Sequence, residues 1–257
     1  MSVRPKKHLG QHFLHDQQIA RKIVEAFREA STSRVLEVGP GQGILTGYLL
    51  EYFDPGLYAV EIDRESGRYL LEQFPRMKKY LILEDFLSMD FSRYFEGPFS
   101  LIGNFPYNIS SQIFFRVLEH RHQIPLVVGM VQKEVAARLA AGPGSKTYGK
   151  LSVLLQAWYD VKVLFHVAPG AFRPPPRVTS SVIRLKRNSV EKLECDEDWF
   201  FRVVKHSFNQ RRKILRNSLK SFLLNLDLED ERFNKRPEQL GVKDFVEITG
   251  KITAAKS

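Results

Sequence analysis

The sequence predicts an α/β fold, with a mostly parallel seven-stranded sheet followed by a small all-helical C-terminal domain. Three observations carry this. From residue 17 to about 140, short apolar runs alternate with amphipathic stretches. That order builds βαβ units and a parallel sheet covered on both faces. Two further strand-like runs follow, on either side of a proline-rich loop. Beyond about Lys186 the polar segment "RNSVEKLECDED" leads into a stretch whose patterning is helical throughout. The expected units are residues 1–187, opening on a basic N-terminal arm over 1–17, and residues 188–257.

Each element has its own signal. The arm "MSVRPKKHLGQHFLHD" lacks helical periodicity and reads as flexible. "QQIARKIVEAF" places Ile19, Ile23, Val24 and Phe27 on one helical face. "RVLEVG" (34–39) is a buried strand ending in glycine, "GILTGYLLEYF" a helix and "LYAVEID" (57–63) a second strand. "RESGRYLLEQF" is helical and "YLILEDF" is a third strand. "FSLIGN" is a fourth, with the helix "SSQIFFRVLEH" behind it. "PLVVGMVQ" (125–132) is a fifth, followed by helical "KEVAARLAA". A glycine-rich basic loop, "GPGSKTYGK" (142–150), precedes helical "LSVLLQAWY". "DVKVLFHV" and "SSVIRLKR" flank "PGAFRPPPRVTSS" and complete the seven strands.

Composition sets the bounds. The chain has 257 residues, 43% hydrophobic and 26% charged, enough for one large core and a smaller unit. No apolar run approaches the roughly 20 residues that span a bilayer. The start has no apolar core of a secretory signal, so a cytoplasmic location is expected. The single cysteine, Cys195, excludes an intrachain disulfide or thiolate metal site, and Glu194, Asp196 and Glu197 beside it disfavour a thiolate. His8, His12 and His15 sit in the arm, and His120 and His122 follow a helix. Neither group makes a metal set, so no metal is expected.

The net charge of +10 and pI of about 9.6 favour a polyanionic partner, nucleic acid or an acidic membrane surface. The distribution decides between them. "FFRVVKHSFNQRRKILRNSLK" (200–220) carries Arg202, Lys205, Arg211, Arg212, Lys213, Arg216 and Lys220 with no acid. Phe201, Val204, Phe208, Leu215 and Leu219 give it an apolar side, so it reads as one basic amphipathic helix. An ordinary solvated face mixes signs, and this one favours RNA. Lys146 and Lys150 in the loop, and Arg4, Lys6 and Lys7 in the arm, would add contacts that position RNA without reading its bases.

The chemistry-bearing motifs lie at the ends of strands, where open α/β sheets bind ligands. "LEVGPGQGILT" (36–46) spaces Gly39, Gly41 and Gly43 as G-x-G-x-G between a strand and a helix. Glycines let a ligand approach the main chain closely. This is not the G-x-G-x-x-G of dinucleotide binders, which argues against a nicotinamide oxidoreductase. With Glu37 in front, it resembles the first motif of the class I (Rossmann-like) S-adenosylmethionine-dependent methyltransferases. The second strand ends in Glu61 and Asp63, where a carboxylate can accept ribose hydroxyls. The third ends in Glu84 and Asp85, where an acid can accept from an adenine amino group.

The fourth strand delivers "NFPY", Asn104 to Tyr107. An exocyclic amine on a base is a poor nucleophile, because its lone pair is delocalised into the ring. Two acceptors on its N–H groups favour pyramidalisation and free that pair. The Asn104 side-chain oxygen is one. The carbonyl of Phe105 is the other, held because Pro106 restricts the residue before it. Tyr107 can stack on the base. Catalysis of this kind works by positioning and by acceptors matched to the transition state.

Taken together, "GQHFL", "LEVGPGQGILT", "VEID", "EDFL", "GNFPYNIS", "QKEVAARL", "PGSKTYGKLSV", "FRPPPRVTSSVIRL" and "FNQRRKILRNSL" resemble the ordered motifs of the ribosomal RNA adenine dimethyltransferases over nearly the whole chain. The likeness is greatest to the bacterial enzymes acting on 16S rRNA. It implies S-adenosyl-L-methionine as methyl donor and two adjacent adenosines in the 3′-terminal hairpin loop of small-subunit ribosomal RNA as target. It also implies a late 30S assembly particle as partner; no membrane partner and a monomeric enzyme are expected. Cofactor contacts would come from His12, Leu14, Gly39, Glu61, Asp85 and Asn104. Phe172 would face Tyr107 across the target adenine, since enzymes acting on a base must unstack it. The family usually has asparagine where this chain has His12, so a side-chain contact there would come from an imidazole rather than an amide. Two relatives remain as alternatives, a 23S rRNA adenine methyltransferase of the antibiotic-resistance type and a non-catalytic nucleic-acid-binding protein.

Overall fold

The computed structural model describes residues 3–222 and 229–255. Residues 223–228 and 256–257 of the expected helical domain lie outside the described residues, as does the side chain of Lys7.

The arm is folded. A 3-10 turn at Lys7–Leu9 leads to the short strand β1 (Phe13–Leu14). Helix α1 (Gln17–Arg28) starts where Asp16 accepts from the backbone N–H groups of Gln18 and Ile19, a cap of about 1 kcal/mol. It buries Ala20, Ile23, Val24 and Phe27. Then come β2 (Val35–Val38), α2 (Ile44–Leu49), β3 (Leu57–Val60), α3 (Arg64–Gln73) and β4 (Leu81–Ile82). The second half brings β5 (Ser100–Asn104), α4 (Ser110–Glu119), β6 (Leu126–Gln132), α5 (Lys133–Ala140), α6 (Lys150–Gln156) and β7 (Tyr159–Val167). Strands β8 (Phe172–Arg173) and β9 (Ser180–Arg187) precede α7 (Glu197–Asn209), α8 (Leu215–Ser218) and α9 (Val242–Ala254).

The large sheet has seven strands in the order β4-β3-β2-β5-β6-β9-β7. The five from β4 to β6 are parallel, and β9 runs antiparallel to β6. Connections leave β2 first toward β3 and β4, then return to β5 on its other side. That reversal opens a crevice at the carboxyl ends of β2 and β5. A second, two-stranded sheet has no counterpart in the sequence reading. In it β1 pairs antiparallel with β8, Leu14 opposite Phe172.

The chain divides into two compact units. Met1–Ala136 and Lys162–Arg187 form the first, and Ala137–Val161 and Asn188–Ser257 the second. Residues 137–161 thus cluster with the C-terminal helices, whereas the sequence alone places them in the N-terminal domain. Helix α6 gives the reason: Leu151, Val153, Leu154 and Leu155 are all buried. In the same unit Trp158 stacks on Phe201 at 5.7 Å and meets Phe200 edge-on at 5.9 Å.

The basic stretch 200–220 is not one helix. Helix α7 stops at Asn209, Gln210 leaves helical geometry, and α8 restarts only after Ile214 in extended conformation. The turn between them aims the Arg211 guanidinium at the 142–150 loop, where it donates to the carbonyls of Lys146 (2.8 Å) and Ser145 (3.4 Å).

Candidate active site

The crevice beyond β2 and β5 is a cleft of about 1090 Å³, counted out to open solvent. Its walls are the glycine loop, the tips of β3, β4 and β5, and the arm from Leu9 to Leu14. Gly39, Gly41 and Gly43 all take positive φ (67°, 55° and 80°). Space separates their roles. A Cβ at Gly41 would lie 2.9 Å from the Phe13 ring, and one at Gly43 would lie 2.6 Å from Phe74. A Cβ at Gly39 would have no neighbour within 4 Å. Gly39 is therefore where the backbone lies open to a ligand.

Carboxylates line the floor. Glu37 is 1% exposed and accepts from Thr46 Oγ1 at 2.6 Å. Burial pushes its carboxyl up to about 8 against that hydrogen bond. Glu61 accepts from the N–H of Asp63 (2.9 Å) and of Gly41 (3.3 Å). Burial nevertheless raises its pKa, the backbone donors opposing. Asp63 caps α3 and binds Lys6 Nζ at 2.5 Å. Burial alone would raise Asp63, but Lys6 and its other donors hold it below the usual carboxylate range. Asp85 lines the cleft and accepts from the N–H of Leu87 at 2.9 Å. Glu84 is engaged by Arg93 (3.1 Å) and Tyr94 (2.6 Å).

Asn104 ends β5. Its Nδ2 donates to the carbonyl of His12 at 2.7 Å, which turns the side-chain oxygen into an acceptor still to be used. The Phe105 ring is buried against Gly129, its N–H is held by the Met130 carbonyl at 3.1 Å, and among the described residues nothing donates to its own carbonyl. Tyr107 shares a hydrogen bond with Ser180 Oγ and stacks on the His12 ring, centroids 5.4 Å apart. Two acceptors and an aromatic face thus stand at one wall of a cleft whose other wall is an open glycine loop. That arrangement can hold a planar base amine opposite a ligand on the glycines.

A family model described as Ribosomal RNA adenine dimethylase matches residues 3–248. The chain belongs to the ribosomal RNA adenine dimethylase family. Ribosomal RNA small subunit methyltransferase A of Parabacteroides distasonis is 57% identical, covering 96% of this chain and 93% of its own. The protein of that name from Bacteroides thetaiotaomicron is 53% identical, covering 98% and 96%. Among solved structures, a dimethyladenosine transferase from Plasmodium falciparum superposes with a TM-score of 0.77 at 23% identity, over 95% of this chain and 98% of its own. The 23S rRNA methyltransferase ErmE gives 0.66 at 24% identity, over 92% and 99%. These two show that the fold is shared.

For a ribosomal RNA adenine dimethylase, two features here depart from expectation. Phe172 does not flank an open slot. It is 1% exposed and packs in the apolar core with Leu14 and Ala171, because β8 is tied to β1. The ring that meets Tyr107 is His12, whose Nδ1 donates to the carbonyl of Pro174 at 2.8 Å. The arm is also folded in this structure. Lys6 on Asp63, His12 on Asn104, and Gly10 against Asn108 fasten it across the cleft. Gln11 and Phe13 therefore line the cleft, and sequence reasoning missed both. The detectable signal was Gly10, which takes φ 63° where the arm crosses Asn108.

The cations of the second unit sort into two kinds. Lys146, Lys205, Arg212, Lys213 and Lys220 are exposed, and Arg202 is exposed with its guanidinium over the Trp199 ring at 5.3 Å. Lys150 and Arg216 have partners of their own. Arg211 is committed to the loop carbonyls and faces Glu238 at 3.8 Å. Among the described residues no cluster of His, Cys, Asp or Glu could hold a metal, and no helix is long and apolar enough to cross a membrane.

Proposed function

We propose that this chain transfers methyl groups from S-adenosyl-L-methionine to N6 of two adjacent adenosines in the loop of the 3′-terminal hairpin of 16S rRNA, giving N6,N6-dimethyladenosines. The observation that carries the reading is Asn104, which lines the cleft with its Nδ2 donating to the His12 carbonyl, so that its oxygen is left as the acceptor. The cleft fits the donor, with free space over Gly39 and with Glu61 and Asp85 in its lining. When bound, S-adenosyl-L-methionine supplies a sulfonium methyl group. Gly39 and Leu14 would border it, Glu61 would accept from ribose hydroxyls, Asp85 from the adenine amine, and the His12 backbone would close the site. The Asn104 oxygen and the Phe105 carbonyl accept from the target amine, and Tyr107 carries the ring. With the donor bound, these contacts would hold the N6 lone pair toward the methyl group it supplies, and the amine proton would pass to solvent. The substrate is a late 30S assembly particle in the cytoplasm, and the enzyme works as a monomer.

The test uses labelled S-adenosyl-L-methionine and small subunits from a strain lacking this methylation. Label is expected as dimethyladenosine in the 3′-terminal hairpin. Label only in 23S rRNA would assign the antibiotic-resistance chemistry instead. Binding without transfer would make the chain a non-catalytic relative. Asn104→Ala is expected to abolish transfer and, by freeing the His12 carbonyl, to weaken cofactor binding by roughly 2- to 10-fold. RNA affinity should stay within a few-fold. Equal loss of RNA affinity and turnover would make Asn104 structural.

A further inference from the structure

The loop 173–179, "RPPPRVT", borders the Tyr107 platform, yet nothing in the reaction above uses its charges. It is fastened at both ends. The carbonyl of Pro174 takes the His12 ring N–H, and Ser180, just past the loop, holds the Tyr107 hydroxyl. Lys133 joins the same frame, its N–H donating to the Thr179 carbonyl at 2.9 Å. Arg173, Arg177 and Lys133 are all exposed, and among the described residues none has a carboxylate partner. Arg173 stands opposite Phe13, whose ring covers Gly41. Three consecutive prolines fix the backbone between the two arginines, so little ordering entropy is left to lose on binding. Three unpaired cations on a rigid frame tied to an aromatic base platform match one chemistry, a strand whose base is turned inward and whose phosphates stay outside.

We infer that Lys133, Arg173 and Arg177 form a phosphate-binding collar, which grips the single-stranded RNA backbone on either side of the adenosine held at Tyr107. This rests on the reading that the cleft takes an RNA adenosine. The collar draws only on residues of the first unit.

The test is the salt dependence of binding to the 3′-terminal hairpin RNA and to unmethylated small subunits, with the full chain carrying Lys133→Gln, Arg173→Gln and Arg177→Gln. Each single-strand phosphate that is no longer neutralised lowers the slope of log K against log salt by about 0.7, so the triple variant should lose about 2. Affinity for S-adenosyl-L-methionine should not move. The charge-preserving variant, with Lys133→Arg, Arg173→Lys and Arg177→Lys, should keep the wild-type slope. If the triple variant unfolds early, the single variants carry the test at about 0.7 each. An unchanged slope in a folded variant overturns the collar, and so does equal loss in the charge-preserving variant. If the wild type binds hairpin RNA with a collar-dependent slope but methylates another adenosine, the target assignment fails and the collar stands. If it methylates the hairpin and the slope does not depend on these residues, the collar alone falls.

Discussion

Glu37 shows how one buried carboxyl ties the glycine loop to solution pH. Its folded-state value of about 8 lies above the 4.5 of an exposed carboxyl, because burial penalises the charge more than Thr46 relieves it. Between those values the folded protein keeps a proton that the unfolded chain has released. Stability conferred by that proton is complete below pH ~4.5, falls as pH rises, and is spent above pH ~8. The steepest loss is about 1.4 kcal/mol per pH unit. Glu37→Gln keeps an acceptor for Thr46 and removes the titration. Its thermal midpoint should therefore exceed the wild type's at pH 9 and change less between pH 5 and pH 9. Glu61 is also raised by burial, so some slope remains in the variant. Superimposable pH profiles for the two proteins would show that Glu37 does not titrate in this window. The sequence marks this residue only as the acid in front of the glycines. The proton affinity depends on Thr46 and on burial, which no local pattern reports.

The Asn104–Tyr107 turn is set by two strands rather than by its own four residues. Gly103 in β5 lies opposite Gly129 in β6, and the missing side chains make a socket for the Phe105 ring. A Cβ at Gly129 would come within 2.2 Å of that ring. Gly129→Ala should push Phe105 outward, cost about 1–3 kcal/mol, and misplace the Phe105 carbonyl, lowering both thermal midpoint and turnover. Adding Phe105→Leu, a smaller side chain, should recover part of both. Purely additive effects of the two substitutions would dissociate the socket from the turn. The alternation of strands and helices was legible because buried parallel strands are continuous apolar runs and covering helices repeat every 3.6 residues. Strand β3 stops at Val60, short of the expected Asp63, because the backbone there turns to bond Glu61. Strands β1 and β8 escaped detection because each has two residues, and the pairing joins distant parts of the chain. Phe172 escapes a local reading for the same reason, since its strand pairs with β1 and its ring packs in the core with Leu14 and Ala171.

Net charge of +10 points to a polyanion but does not say which cations meet it. Composition treats Arg211, Arg212 and Lys213 alike. The fold separates them, because Arg211 spends its donors on the carbonyls of Ser145 and Lys146 while its two neighbours stay exposed. Arg211 instead fixes the loop bearing Lys146, a clasp that Gly144 continues by donating to the Glu238 carbonyl at 2.7 Å. The two kinds of cation should respond differently to neutralisation. Arg212→Gln with Lys213→Gln should weaken binding to small subunits and lower the salt slope by roughly 0.9 for each duplex phosphate left without its cation. The thermal midpoint should hold, since exposed surface substitutions stay within about 0.5 kcal/mol. Arg211→Gln should lower the thermal midpoint and raise hydrogen exchange across 142–149, because the freed carbonyls lose charge-assisted donors of about 1.5–3 kcal/mol. Its salt slope should change only as far as Lys146 is displaced. Arg211→Gln that leaves stability intact and lowers the slope like its neighbours would return that arginine to the cations proposed to meet RNA.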